Sequence, residues 1–197
     1  ALAMRVDARE ALLFALADES HEVRARAARS LGASGDASVL AALTGATADD
    51  NEWVRMAAIA ALGALRLPGA VGILCALVDS ALPALSLPAI ESLAQIPGEH
   101  PLRDSVLTRS LAHADGEIVK AAVRALAAQE NDRMLAALLA ALDHPSWDVR
   151  QEVARVLATV ARTQVLAQRA LEARWRVETD ELVKEALAAA LRERGGG

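Results

Sequence analysis

Val23-Arg24-Ala25-Arg26-Ala27-Ala28-Arg29-Ser30-Leu31-Gly32 returns further along the chain as Val54-Arg55-Met56-Ala57-Ala58-Ile59-Ala60-Ala61-Leu62-Gly63. Both stretches open on Val and Arg, place Ala four positions on and Leu eight on, and close on Gly. Weaker copies begin at Leu85, Ile118, Val149 and Val183. The six anchors, at positions 23, 54, 85, 118, 149 and 183, thus recur at a nearly constant spacing. A fixed internal period of about 20–50 residues marks a repeat architecture. Within each copy the anchor, i+4 and i+8 form one stripe of a 3.6-residue helix.

A second amphipathic segment precedes each anchor: Ala8–Ala17, Ser38–Leu43, Ala70–Val78, Leu102–Leu111, Arg133–Leu142 and Gln164–Ala173. Between the paired segments stand cap and turn residues, such as Asp18-Glu19-Ser20, Asp49-Asp50-Asn51, Asp143-His144-Pro145-Ser146 and Glu178-Thr179-Asp180. Between copies stand breakers, at Gly35-Asp36, Pro68-Gly69, Pro97-Gly98 and Asn131-Asp132. Each copy therefore predicts a helical hairpin, and no strand pattern is present. A lone hairpin cannot bury its apolar face, so the hairpins must stack, with small residues allowing close approach. The predicted domain is a single array over residues 1–194, with repeats near 5–35, 36–67, 68–99, 100–130, 131–161 and 162–194. Residues 195–197 read as a glycine tail.

Composition agrees with this reading. Of 197 residues 54% are hydrophobic, mainly Ala and Leu, while 2% are aromatic and 24% charged. One cysteine excludes a disulfide framework and a Cys-rich zinc or iron–sulfur site. The long apolar runs, Leu67–Val78 and Ser80–Ile90, fall short of the roughly 18 residues a membrane span needs. Arg5, Asp7, Arg9 and Glu10 stand where a secretory apolar core would begin, which predicts a cytoplasmic location. Polar first and last helices suit a monomer, or a segment of a longer chain.

Asp18…Val23-Arg24…Ala27…Leu31-Gly32 and Asp49…Val54-Arg55…Ala58…Leu62-Gly63 resemble HEAT repeats, and the short period is similar to the bacterial type labelled PBS-lyase (bilin-lyase) HEAT-like. The resemblance implies an all-α, right-handed α-solenoid of about six stacked hairpins. It also implies a ladder of ion pairs between repeats, falling on Asp18, Arg24, Asp49, Arg55, Asp143 and Arg150. Repeat three departs with Ser86, and repeat four with Val119 and a displaced Lys120. Pro83 suits a first helical turn, but Pro88 predicts a kink or a delayed start, with a local change of curvature around residues 80–100.

Catalytic signatures are not found. His21, His100, His113 and His144 occur singly in turns without metal-ligand spacing. His113-Ala114-Asp115 pairs a base with a carboxylate but has no nucleophile beside it. Cys75 sits in an apolar run, which predicts a buried thiol. Neither a catalytic residue, a cofactor nor a metal is predicted.

In a HEAT-like array the second helices line the concave side. Positions one before, two after and six after each anchor then point outward. Repeats two and three present Trp53, Met56, Ala60, Ala84, Leu87 and Glu91. Repeats four and five present Glu117, Lys120, Arg124, Asp148, Gln151 and Arg155. An apolar patch beside mixed charge predicts a protein-binding face, taking a partner helix or peptide on Trp53, Met56 and Leu87 with its charges against Arg124 and Arg155. The alternative is that Leu87 folds inward and Trp53 packs over its own turn. Three functions compete. The first is a non-catalytic interaction scaffold. The second is a bilin-lyase-like or other chromophore-handling subunit, carried by the subtype resemblance alone. The third is a DNA-binding relative of HEAT-like glycosylases, carried by Trp147, Asp148 and Arg150 and opposed by a net charge of −5 with two lysines.

Overall fold

The computed structural model describes residues 2–80, 82–129, 132–160 and 165–192. Twelve α-helices lie among these residues, and no strand. They pair in chain order: α1 (Leu2–Ala15) with α2 (His21–Gly32), α3 (Leu40–Ala46) with α4 (Glu52–Ala64), and α5 (Gly69–Val78) with α6 (Pro83–Leu93). The later pairs are α7 (Pro101–Ser110) with α8 (Gly116–Ala127), α9 (Asp132–Ala141) with α10 (Trp147–Val160), and α11 (Val165–Val177) with α12 (Glu181–Arg192). Every anchor falls in the second helix of its pair, and the fold class is an all-α solenoid. The chain divides into two compact units, Ala1–Arg103 and Asp104–Gly197. Asn131, Gln164 and the residues 195–197 lie outside the described residues.

One turn device recurs in all six hairpins. The residue five before each anchor accepts the backbone N–H two positions on, which supplies an acceptor ahead of the second helix's unpaired N–H groups. Asp18 Oδ1 accepts from Ser20 at 2.8 Å, Asp49 Oδ1 from Asn51 at 2.9 Å, and Ser80 Oγ from Leu82 at 3.4 Å. His113 Nδ1 accepts from Asp115 at 2.9 Å, His144 Nδ1 from Ser146 at 3.1 Å, and Glu178 Oε1 from Asp180 at 3.0 Å. Asn51, Asp115 and Asp180 then cap α4, α8 and α12 through Trp53, Glu117 and Leu182 N–H.

In the first unit α2 packs along α4 and α4 along α6. Leu31, Val54, Ala58, Leu62, Ala89 and Leu93 are fully buried between them, with Leu43 and Leu74 contributed by the first helices. The approach is close. A Cβ on Gly32 would stand 2.6 Å from Ala61 Cα, and one on Gly63 2.8 Å from Ser92 Cα. Ser92 Oγ donates to Ile59 O at 3.0 Å, and Ser86 Oγ to Val78 O at 3.1 Å, so the two buried serines of α6 are both satisfied. In the second unit α8 packs along α10 and α10 along α12, over Ala122, Leu126, Val149, Val153, Leu157, Val183 and Leu187.

Val23 and Ala25 differ from the sequence reading. Val23, an expected core anchor, is 38% exposed, whereas Ala25, expected outward, is 5% exposed. The close contact at Gly32 draws the Ala25 edge of α2 onto α4 and leaves Val23 at the outer edge of its first turn. Pro88 does not delay its helix: α6 starts at Pro83 and runs through Pro88 to Leu93. The fully buried side chain of Arg103 was not anticipated. It donates from Nη1 to Ile96 O at 2.7 Å and from Nη2 to Gly98 O at 2.9 Å, closing the loop before α7.

The glycines give a stability prediction. Gly32→Val must push Ala61 backbone aside and is expected to cost about 2–3 kcal/mol. At Gly72 in α5 a Cβ meets nothing within 4 Å, so Gly72→Ala is expected to add about 0.5–1 kcal/mol. Urea midpoints of the two variants check both.

Candidate functional site

Ion pairs link neighbouring repeats where a basic residue follows the anchor and a carboxylate occupies the turn position of the next hairpin. Arg24 meets Asp49 through Nε and Nη2, both at 2.8 Å, while its Nη1 holds the carbonyls of Asp18 and Glu19 in its own turn. Arg150 repeats the arrangement with Glu178, through Nε and Nη2 at 2.9 Å, and with the carbonyls of His144 and Pro145. The carboxylate opposite Arg150 is thus Glu178. Asp143 instead pairs with Arg174 at 2.9 Å, and Arg174 also reaches Glu178 at 2.8 Å. Asp18 serves its own turn. Arg55 keeps the inner half of the arrangement, with Nη1 on the carbonyls of Asp49 and Asp50, but its Nε meets no acceptor. The sequence carried a signal for Glu178, which precedes its anchor by five residues as Asp49 does.

The same bonds act on the acidity of the carboxylates. Arg150's bonds hold the Glu178 carboxyl well below the usual carboxylate range, against the opposing effect of burial, with Asp180 N–H and Arg174 assisting. Arg24 does the same for Asp49. The pairs fix one hairpin on the next, which makes them structural.

On the first unit the second helices expose an apolar strip. Trp53 is 65% exposed and Met56 38%, Ala60 and Ala84 are exposed, and Leu87 is half-buried. Glu22, Arg29 and Glu91 stand exposed at its margins. Trp53 does lean over the preceding turn, its ring centroid 5.6 Å from that of His21, yet most of its surface remains in solvent.

On the second unit several predicted contact residues engage one another. Lys120 pairs with Glu117 at 2.6 Å and Asp148 at 3.1 Å, which together raise its pKa, and Arg124 pairs with Glu152 at 3.0 Å. Asp148 accepts from Ser146 and is lowered by that bond first and by Lys120 second. Between α10 and α12 lies a groove of about 450 Å³, lined by Gln151, Arg155 and Ala158 on one side and Leu182, Glu185, Ala186 and Ala189 on the other. With Ala190, half of its lining residues are alanine. Gln151 spans it by donating to Leu182 O at 3.4 Å, and Arg155 is exposed at its edge.

The remaining chemistry-bearing residues have structural employment. His113 and Asp115 form a turn and a cap rather than a base–carboxylate couple, and His100 Nε2 lies 3.0 Å from Pro97 O. Cys75 is buried. Asp148 and Arg150, two of the three residues behind the DNA reading, are engaged between repeats. Among the described residues no group of three or more potential ligands is placed to hold a metal, and no helix is long and apolar enough to cross a membrane.

A family model described as HEAT repeats matches residues 9–94 and 103–192. Among curated proteins no match is found. Among solved structures, an engineered protein is similar over 96% of both chains at 24% identity and a TM-score of 0.58. A designed armadillo repeat protein in complex with the peptide (KR)4 is similar at 21% identity and a TM-score of 0.62, covering 93% of this chain and 98% of the other. YibA of E. coli is similar at 17% identity and 0.63, covering 98% and 76%.

Glu178 generates a pH prediction. Its pKa is depressed by folding, so its contribution is complete above the unfolded value, about 4.3, and is lost as pH falls below it. Glu178→Gln is expected to lower stability by about 2–4 kcal/mol at pH 7, since it weakens a buried pair. Urea titrations at pH 7 and pH 3 are expected to show the gap from wild type narrowing in acid.

Proposed function

The chain belongs to the HEAT-repeat family, and from that premise we propose that it is a non-catalytic scaffold that binds a partner helix or extended peptide on the face of its second helices. The observation that carries this reading is the strip of Trp53, Met56 and Leu87. A tryptophan and a methionine left in water, one helical turn apart and continuous with Ala60, Ala84 and Leu87, retain hydration cost that folding has not removed. Burying them under an apolar side of a partner removes it, and Glu22, Arg29 and Glu91 at the margins supply orientation. A designed armadillo repeat protein of similar fold in complex with the peptide (KR)4 supports a peptide-binding reading.

The second unit contributes a different kind of contact. The groove beside α12, with four alanines among its lining, admits an aliphatic side chain, with Arg155 and Glu185 at hand for a carboxylate and an amine of the partner. Arg155 is the cation offered to a ligand here. Arg124, Lys120 and Glu117 are engaged in pairs, so a partner gains less from them, because each new pair must replace an existing one.

Selection of ligands from a displayed library of helical and extended peptides tests the reading. The best ligand is expected to bind the Met56→Glu/Leu87→Glu variant at least about tenfold more weakly, a loss of about 1.4 kcal/mol, with circular dichroism and melting temperature unchanged. Equal affinity for the two proteins removes the apolar strip as the site.

A further inference from the structure

The junction between the second and third hairpins has an arginine seated for a rung and no carboxylate opposite it. The register is set by the glycine contacts. Gly32 meets Ala61 and Gly63 meets Ser92, the same offset along the chain in both pairs, so α4 lies on α6 as α2 lies on α4. Arg24 precedes Gly32 by eight residues and Arg55 precedes Gly63 by eight. Asp49 precedes Ala61 by twelve residues, and Ser80 precedes Ser92 by twelve. The place that Asp49 fills for Arg24 is therefore filled for Arg55 by Ser80.

The bonding of both partners reflects the exchange. Arg55 makes the two Nη1 bonds to its own turn, as Arg24 and Arg150 do, but its buried Nε has no partner. A second such atom, Arg9 Nε, belongs to a guanidinium that already has Asp36 at 3.1 Å. Ser80 Oγ accepts from Leu82 at 3.4 Å, a longer version of the bond made by the carboxylates at the other turns. The turn is accessible, since Asp79 and Leu82 on either side of it are exposed and Ser80 is half-buried.

We propose that the Arg55–Ser80 junction is a phosphate site, closed by a phosphoryl group carried on Ser80 or by a free phosphate. A phosphate offers the bidentate oxygens that a guanidinium edge matches, and its remaining oxygen takes over the Leu82 N–H. In the covalent case a protein kinase moves the terminal phosphoryl group of a nucleoside triphosphate to Ser80 Oγ. The new P–O bond forms as the bond to the leaving nucleoside diphosphate breaks, and the hydroxyl proton passes to the kinase's base. The site then joins α4 to the third hairpin as Arg24 and Asp49 join α2 to the second. Asp79, the nearest like charge in sequence, faces solvent, where water and salt screen it.

The test uses the whole chain in two arms, each with wild-type Arg55 and with Arg55→Met. In the first arm phosphoserine is installed at position 80, and in the second inorganic phosphate is titrated against chloride at constant ionic strength. An Arg55-dependent rise in melting temperature of roughly 3–6 °C is expected in at least one arm, and the arm that responds identifies the source. The Arg55 Nε–H resonance of the wild-type chain is followed in parallel and is expected to move downfield on closure, which keeps the result readable if Arg55→Met folds poorly. No Arg55-dependent rise and no shift of that resonance in either arm overturns the proposal. So does a fall in melting temperature with phosphoserine.

Discussion

How near one second helix comes to the next is the constraint on which each unit depends. At Gly32 and Gly63 the neighbouring backbone occupies the volume a side chain would need. That proximity favours small residues such as Ala25, Ala28 and Ala61 along the contact, and it leaves Leu31, Leu62 and Leu93 to fill the layer beneath. It also fixes axial register, because a shift of one helical turn would drive a side chain into the facing backbone. The high alanine content and low aromatic content follow from thin layers, and the apolar composition needs no membrane to explain it.

Register in turn decides which turn each arginine meets. The acceptor position five residues before the anchor is occupied by Asp, Asp, Ser, His, His and Glu, and every one of these satisfies the same N–H group. Three acceptors, carboxylate, hydroxyl and imidazole, thus serve one local need. The inter-repeat need is narrower. A fork of guanidinium N–H groups with its inner edge on carbonyls requires an anion at the outer edge, which a carboxylate provides and a neutral hydroxyl or imidazole does not. Where His144 stands in the turn, Val119 replaces the arginine that would face it, and no charge is left unanswered. The second junction is different: Arg55 has been kept and the carboxylate has not.

The hairpins were legible because their signal is local: a regular return of the Val23 pattern at Val54 and beyond, a stripe at i, i+4 and i+8, and cap residues between helices. Ala25 and Val23 were misplaced because periodicity gives a helix's stripe but not which edge a neighbour approaches, and that was decided by Gly32. Asp143 was placed on the ladder by the family resemblance, as the aspartate of its hairpin turn. Counting five back from Val183, as Asp18 and Asp49 stand five before Val23 and Val54, selects Glu178. Arg103 left no pattern, since its partners are the backbone carbonyls of Ile96 and Gly98 in an irregular loop.

The same pairing logic separates the residues that hold the array together from those offered to a ligand. Lys120, Arg124 and Asp148 looked like surface charge in the sequence, but each already faces an opposite charge on its own second helix or on that of the neighbouring hairpin. Removing water from such a pair gains little, because the attraction is already in place when a ligand arrives. Trp53 and Met56 are in the opposite condition. Trp53 keeps most of its surface in water although it leans on His21, and Met56 keeps over a third of its own. Apolar area still in contact with water is free energy that binding can recover, and Trp53 and Met56 hold some of it on the face of the second helices.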